Sequence, residues 1–317
     1  MAEKDVALKI WLKNKGRFAD FFNGVIFDGE QVVKPEELEL TDSESGIVLE
    51  DKSKQKMTIS RRRDVIMRWR GQYNLVILAV ENQTKISHVM PARTMLYDAL
   101  SYDEQMKVIH QEKRQKYNIK GDYLSTFCKK DKLYPVISIV FYYGEKPWNS
   151  NKELFDMFKG IKDSFFRKKL ERYVSNYKIN IVDVTDITHI ENFNIDLQMV
   201  LGMLKYRQDK EALAGYVNQF RNYFENLEKD TTDVVAYLIG LDKIDGYNPD
   251  VEEGERVDMC KAIRDMINDS KQEGREEGRA ANTRSVIKNM LDRGFSVADI
   301  CAIAECSEED VEKVRMA

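Results

Sequence analysis

Leu75-Val-Ile-Leu-Ala-Val80 is an unbroken apolar run rich in β-branched side chains, and Glu81 follows it directly. A strand of that composition is buried on both faces, and such strands belong to sheets covered by helices on either side. The acid that ends the run narrows the reading further. A buried carboxylate without a partner costs several kcal/mol, so Glu81 calls for a basic residue or a cation.

A second apolar run, Tyr134-Pro-Val-Ile-Ser-Ile-Val-Phe-Tyr-Tyr143, stops at Gly144 and reads as another buried strand. Pro91 opens a helical stretch over about 91–115 between them, in the position a first-turn proline takes. Strand, helix and strand in that order imply an α/β sheet with helices on its faces. Leu8, Ile10, Trp11, Phe18, Phe21 and Phe22 recur at helical spacing and predict one helix over 3–24. Short strands are expected at Ile47–Leu49, Lys56–Ser60 and Asp64–Trp69, with one more at Ile179–Val184.

From about residue 186 the pattern is helical, over 194–206, 211–228 and 231–241. Residues 255–293 are highly charged, and Glu273-Gly-Arg275 recurs as Glu277-Gly-Arg279. Each glycine costs a helix about 1 kcal/mol, which predicts a flexible stretch there. Two short helical halves follow in Phe295–Val314, with Ser296 and Ser307 as N-caps. The expected organisation is a core over 1–190, a helical region over 191–254, and a charged helix with a small helical appendage over 255–317.

Composition excludes several classes. Of 317 residues, 43% are hydrophobic and 33% charged, which is a globular balance. No apolar run approaches the roughly 20 residues of a membrane span. The start lacks the basic-then-apolar pattern of a signal peptide, so a cytoplasmic protein without a membrane partner is expected. The four cysteines, Cys128, Cys260, Cys301 and Cys306, form no CxxC pair, and there are three histidines. That argues against structural zinc and a disulfide framework. A bound metal would take oxygen ligands, favouring Mg²⁺ or Mn²⁺.

The net charge is −4, from 50 basic and 54 acidic residues, so contact with DNA would need a local basic cluster. Residues 51–70 supply one: Lys52, Lys54, Lys56, Arg61, Arg62, Arg63, Arg68 and Arg70 stand against Asp51 and Asp64. It reads either as a phosphate-contacting surface or as a solvated basic face.

The candidate chemistry lies in Asp64 and in Glu81-Asn-Gln83, at the ends of two consecutive predicted strands. Residues 81 and 83 share a strand face. Two carboxylates directed to one pocket repel, and a divalent cation removes that repulsion and activates water for attack on phosphorus. Gln83 would orient the water or contact the phosphate. Ordinary salt bridges are the alternative, Asp64 with one of Arg61–Arg63 and Glu81 with Arg93.

Several stretches, taken in order, carry a resemblance: Arg63-Asp64; Leu78-Ala-Val-Glu-Asn-Gln83; Met90-Pro-Ala-Arg93 leading to Tyr97; Pro135-Val-Ile-Ser-Ile-Val-Phe-Tyr-Tyr-Gly144 with Pro147-Trp148; and the Glu-Gly-Arg-Glu-Glu-Gly repeat. The chain resembles the bacterial recombination-promoting nuclease/putative transposase family of the PD-(D/E)XK nuclease superfamily, most clearly over about 17–210. The resemblance implies a restriction-endonuclease-like mixed sheet flanked by helices, with a helical C-terminal region. It implies Mg²⁺-dependent hydrolysis of DNA phosphodiesters that promotes recombination. Asp64 and Glu81 match the two motif acids, and Asp20 matches an acid of the first helix that completes the metal site. Gln83 stands where the superfamily usually has lysine, and Lys85 lies two residues on. Lys56, Arg61, Arg62, Arg63 and Arg93 are the expected DNA contacts, and a homo-oligomer is expected among the partners. The missing lysine leaves a second reading, a DNA-binding or self-associating module without efficient chemistry.

Overall fold

The computed structural model describes residues 2–41, 44–50, 56–62, 65–70, 73–80, 88–118, 120–159, 164–240 and 256–316. The chain opens with α1 (Ala2–Leu12) and α2 (Lys15–Ile26), where the apolar spacing predicts one helix. The break is a cap. The Asn14 side chain accepts hydrogen bonds from the backbone N–H groups of Gly16 (2.9 Å) and Arg17 (3.3 Å), starting a new helix there. Both helices turn their apolar residues to the same core, so the spacing alone conceals the break.

Among the described residues five strands form one mixed sheet: β1 (Leu38–Leu40), β4 (Val65–Trp69), β5 (Tyr73–Val80), β6 (Val136–Tyr142) and β7 (Asn180–Asp183), in that spatial order. Between β1 and β4 in sequence, β2 (Glu44–Glu50) and β3 (Lys56–Arg62) pair as a separate antiparallel ribbon. β4 runs antiparallel to both β1 and β5, whereas β5, β6 and β7 are parallel. A parallel neighbour needs a crossover. Between β5 and β6 this is α3 (Met90–Tyr117) with the short α4 (Tyr123–Thr126), and between β6 and β7 it includes α5 (Ser164–Leu170).

Alternation along the strands divides the core. Ile139, Phe141 and Tyr143 enter the larger cluster with Phe18, Phe21 and Phe22 of α2. Val140 and Tyr142 face the other way, toward Ile66, Met90, Tyr97 and Trp148. The result is a sheet covered on one face by α3 and on the other by the N-terminal helices.

The C-terminal helices are α6 (Ile195–Tyr206), α7 (Lys210–Gln219), α8 (Arg221–Phe224) and α9 (Lys229–Ile239). The helix expected over 211–228 is interrupted at Phe220, whose φ of −110° leaves helical geometry. This lets Phe220 and Phe224 both pack on Tyr216, with ring centroids 5.0 and 6.3 Å away. Leu227–Glu228 (β8) then pairs with Arg256–Val257 (β9) instead of continuing the helix.

The predicted core and the helical region share one buried cluster, in which Leu201 and Val235 lie with Phe21 and Ile139. Arg17 ties them polarly. It is 7% exposed, stacks 4.7 Å over Trp11, and donates to Asp196 (3.4 Å), Thr231 (3.1 Å) and Asp230. Burial alone would lower its pKa, but Asp230 and Asp196 more than offset that and hold it above its ordinary value.

The charged stretch expected to be flexible is one continuous helix, α10 (Met259–Asp292), capped by Asp258. Both ends are anchored. Met259, Cys260 and Ile263 enter the main core, while Ile287 and Met290 pack with Ile300 and Val311. Packing at the two ends offsets the cost of its glycines. Beyond it lie α11 (Val297–Ala304) and α12 (Glu308–Met316), with Ser296 and Ser307 as the caps that the sequence predicts. No helix among the described residues is long and apolar enough to cross a membrane.

Two glycines should respond oppositely to a methyl group. A Cβ at Gly202 of α6 would stand 2.1 Å from the Tyr216 ring, whereas one at Gly274 of α10 meets nothing. Gly202→Ala is expected to destabilise the fold by about 1–3 kcal/mol, and Gly274→Ala to stabilise its helix by about 0.5–1 kcal/mol. Urea midpoints of the two variants check both signs.

Candidate functional site

Three parallel strands end together: Val80 is in register with Tyr142, and Tyr142 with Asp183. β4 starts at the same edge, because Val65 pairs with Ile77. That is three residues short of Val80, or about 10 Å along the strand. The edge also receives the end of β1, where Thr41 N–H donates to Ile66 O (3.1 Å). The β2–β3 ribbon, inserted between Thr41 and Val65, therefore leaves the sheet from this edge.

The segment after β6 closes one side of it. Trp148 N–H donates to Asp183 Oδ2 (2.7 Å), and the Trp148 indole donates to Ser150 O (3.0 Å). Ser150 Oγ and His88 Nδ1 are 2.9 Å apart, and Asn151 Nδ2 donates to His88 O (2.9 Å). The chain just before α3 is thereby fastened to the end of β7. Beside it opens a cleft of about 570 Å³, whose lining includes Asp28, Trp148, Asp183, Thr185, Asp186 and His189. Sequence reasoning missed this cleft. A signal existed, because Asp183-Val-Thr-Asp186 also places acids after an apolar strand.

Asp64, Glu81 and Gln83, with Arg63 and Lys85, lie outside the described residues. In sequence, Asp64 adjoins Val65 and Glu81 adjoins Val80, and those two strand ends lie toward the same edge of the sheet, three residues apart in register. Of the basic cluster, Lys56, Arg61 and Arg62 are on β3. Lys56 is in register with Glu50, Arg62 with Glu44, and Arg61 with Ser45. Arg68 is exposed on β4. Arg70 serves the fold: it donates to Glu37 (2.7 Å) and lies 4.9 Å over Trp69. Its hydrogen bond, with that of the Trp69 indole, holds the Glu37 carboxyl below its ordinary pKa.

Arg93 is in the first turn of α3, where its Nε donates to Tyr97 Oη (3.0 Å) and its guanidinium lies 5.4 Å over that ring. Tyr97 is a core residue, 2% exposed. Val89, the N-cap residue of α3, makes no side-chain capping hydrogen bond.

Asp20 is 4% exposed on α2. Both its oxygens accept from the backbone N–H of Asn194, at 2.9 and 3.0 Å, where α6 begins. Burial raises its carboxyl to about 6, the Asn194 hydrogen bond opposes that rise, and the charge of Asp196 adds to it. Among the described residues, no three His, Cys, Asp or Glu side chains form a metal-binding group.

The Asp20 shift fixes a pH response. A carboxyl raised from 3.8 to about 6 by folding is penalised where it is ionised, above that value. The penalty, about 3 kcal/mol, is relieved as pH falls from above 6 to below 4. Carboxylates held low, such as Asp131 at about 2 beside the Cys128 N–H and Lys113, act in the opposite direction at lower pH. Asp20→Asn should therefore lose stability relative to the parent as pH falls from 7 to 4. Urea midpoints of both proteins across that range check it.

A family model described as "Putative transposase, YhgA-like" matches residues 5–234, from α1 into α9, and so takes in the whole five-stranded sheet. Searches of curated proteins and of solved structures gave no match. The chain belongs to the YhgA-like putative transposase family.

Proposed function

We propose that this protein is a metal-dependent DNA endonuclease with a restriction-endonuclease-like core, whose phosphodiester cleavage promotes recombination. The supporting observation is the shared edge. The start of β4 and the end of β5, which adjoin Asp64 and Glu81, come to one side of a mixed sheet whose next strand is parallel and reached through a helix. Membership in a transposase family supports a DNA partner.

In this reading Asp64 and Glu81 hold Mg²⁺ or Mn²⁺, with Asp20 the third candidate oxygen donor. An all-carboxylate donor set suits a hard cation. The cation supplies Lewis acidity and lowers the cost of activating water. Burial holds the Asp20 carboxyl up at about 6, and a cation bound there would favour its ionised form and lower that value. Gln83 orients the attacking water or the phosphate through its amide. Lys56, Arg61, Arg62 and Arg63 contact the phosphate backbone beside the edge from which the ribbon leaves, supplying affinity without sequence information. Arg93, set by Tyr97 in the first turn of α3, adds charge where a helix N-terminus already favours phosphate.

Nicking of supercoiled plasmid in Mg²⁺, in Mn²⁺ and in EDTA tests the proposal. Activity should need a divalent cation and fall by at least about a hundredfold in Asp64→Ala and Glu81→Ala, on the scale of losing a principal electrostatic element. Urea midpoints near that of the parent would show the variants folded. Plasmid binding without nicking in either metal would defeat the hydrolytic reading and leave the DNA-binding module, in keeping with glutamine at position 83.

A further inference from the structure

Far along the chain from the predicted phosphate contacts, α5 and the turn after it carry a second basic surface, and this one is aromatic as well. Phe165 is 64% exposed, Phe166 51% and Tyr173 86%. Lys168, Lys169 and Arg172 are exposed among them. The chain stays coiled past Leu170: Glu171 N–H donates to Arg167 O (3.0 Å) and Val174 N–H to Leu170 O (2.9 Å), while Arg172 and Tyr173 make tighter turn bonds to Lys169 O (3.3 Å) and Leu170 O (2.9 Å). At 3.6 residues per turn in α5, tightening toward 3 in the turn after it, these six side chains share one side of the element, an arc of roughly 160–180°. Around it they alternate: Lys168 and Arg172, then Phe165, then Lys169, then Tyr173 and Phe166. Lys169 Nζ stands 4.6 Å over the Phe165 ring.

Arg167 projects to the opposite side and fastens the element. It pairs with Glu153, lies 3.5 Å from Glu171, and stacks 5.4 Å over Phe155. The exposed face is thus held by a buried-side contact and takes no part in the cores described above. Its charge is strongly positive in a chain whose total is −4: Lys168, Lys169 and Arg172 stand on it, while Glu171 lies on the Arg167 side.

We infer that this face binds single-stranded nucleic acid, its aromatic rings stacking on unpaired bases and its cations following the phosphates. Charge complementarity selects a polyanion. The exposed rings select one whose bases are free, since stacking on bases adds affinity only where they are unpaired. Interleaving argues against a lipid surface, because membrane-seated helices separate a polar face from an apolar one. The inference rests on the DNA-handling part of the proposed function and not on its hydrolytic step. It assigns the enzyme a place to hold a strand opened or released near a cut.

Fluorescence anisotropy of a labelled oligothymidylate, titrated with the full chain in EDTA, tests the inference. The triple variant Phe165→Ala, Phe166→Ala, Tyr173→Ala should bind at least about tenfold more weakly, a modest loss for three stacking rings. Lys168→Gln, Lys169→Gln, Arg172→Gln should reduce the slope of log affinity against log salt by about two. All six positions are exposed, so urea midpoints should stay at that of the parent. Unchanged oligothymidylate affinity in both variants overturns the inference. So does sedimentation with phosphatidylserine vesicles that the aromatic variant alone loses while its oligonucleotide affinity stays intact. Plasmid nicking measured in parallel separates the two claims: lost hydrolysis with retained, variant-sensitive strand binding sinks the catalytic reading and supports this one.

Discussion

The parallel pairing of β5 with β6 is the constraint from which the architecture follows. β6 alternates large apolar residues to opposite faces, so neither of its faces can be left in water. Parallel order requires a crossover, and α3 is both that crossover and the cover for one face. The other face is covered by α2, whose three phenylalanines meet Phe141 and its neighbours. One consequence is positional. Strands running the same way in register finish at the same edge, and the antiparallel β4 begins there, so residues distant in sequence are gathered along one rim.

Polar contacts then fix the layers against each other. Asp98 of α3 accepts from Ser138 of β6 and from Tyr177 before β7, each at 2.6 Å, joining a helix to two places along the sheet. On the opposite side, Asp20 receives the N-terminus of α6, and Arg17 gathers Asp196, Asp230 and Thr231 around one guanidinium. These contacts bring the C-terminal helices into the same core as the sheet. The cost of burying Asp20 appears as its raised pKa, which makes the α2–α6 junction sensitive to pH in the acid range up to about 6.

The arrangement of charge fits a protein that handles a polyanion in spite of its acidic total. Basic residues stand on the ribbon that leaves the candidate edge and on the exposed side of α5, whereas Arg17, Arg70 and Arg167 are committed to carboxylates of the fold. Sequence alone counts all of these as cations. Their partners decide which are available to a ligand.

Apolar runs and their punctuation were legible from the sequence. They determined the two central strands, α3, the helical C-terminal region and the serine caps of α11 and α12, because each is encoded in a local pattern of burial or capping. The break at Asn14, the break at Phe220 and the continuity of α10 were not legible. At Asn14 a local cap is hidden because the apolar spacing runs on across it, at Phe220 ring packing on Tyr216 overrides a continuing helical pattern, and α10 is held by packing at both ends of an element that looks weak in isolation. The candidate site divides in the same way. Asp64 and Glu81 can be named from the acid that ends an apolar run, but sequence gives no measure of which strand ends meet. Tertiary structure decided that Val65, Val80, Tyr142 and Asp183 lie along one edge, that Asp20 caps α6, and that Arg70 belongs to Glu37. The reason is that register and ion pairing are set by contacts between distant segments, whereas periodicity records only the burial of each segment by itself.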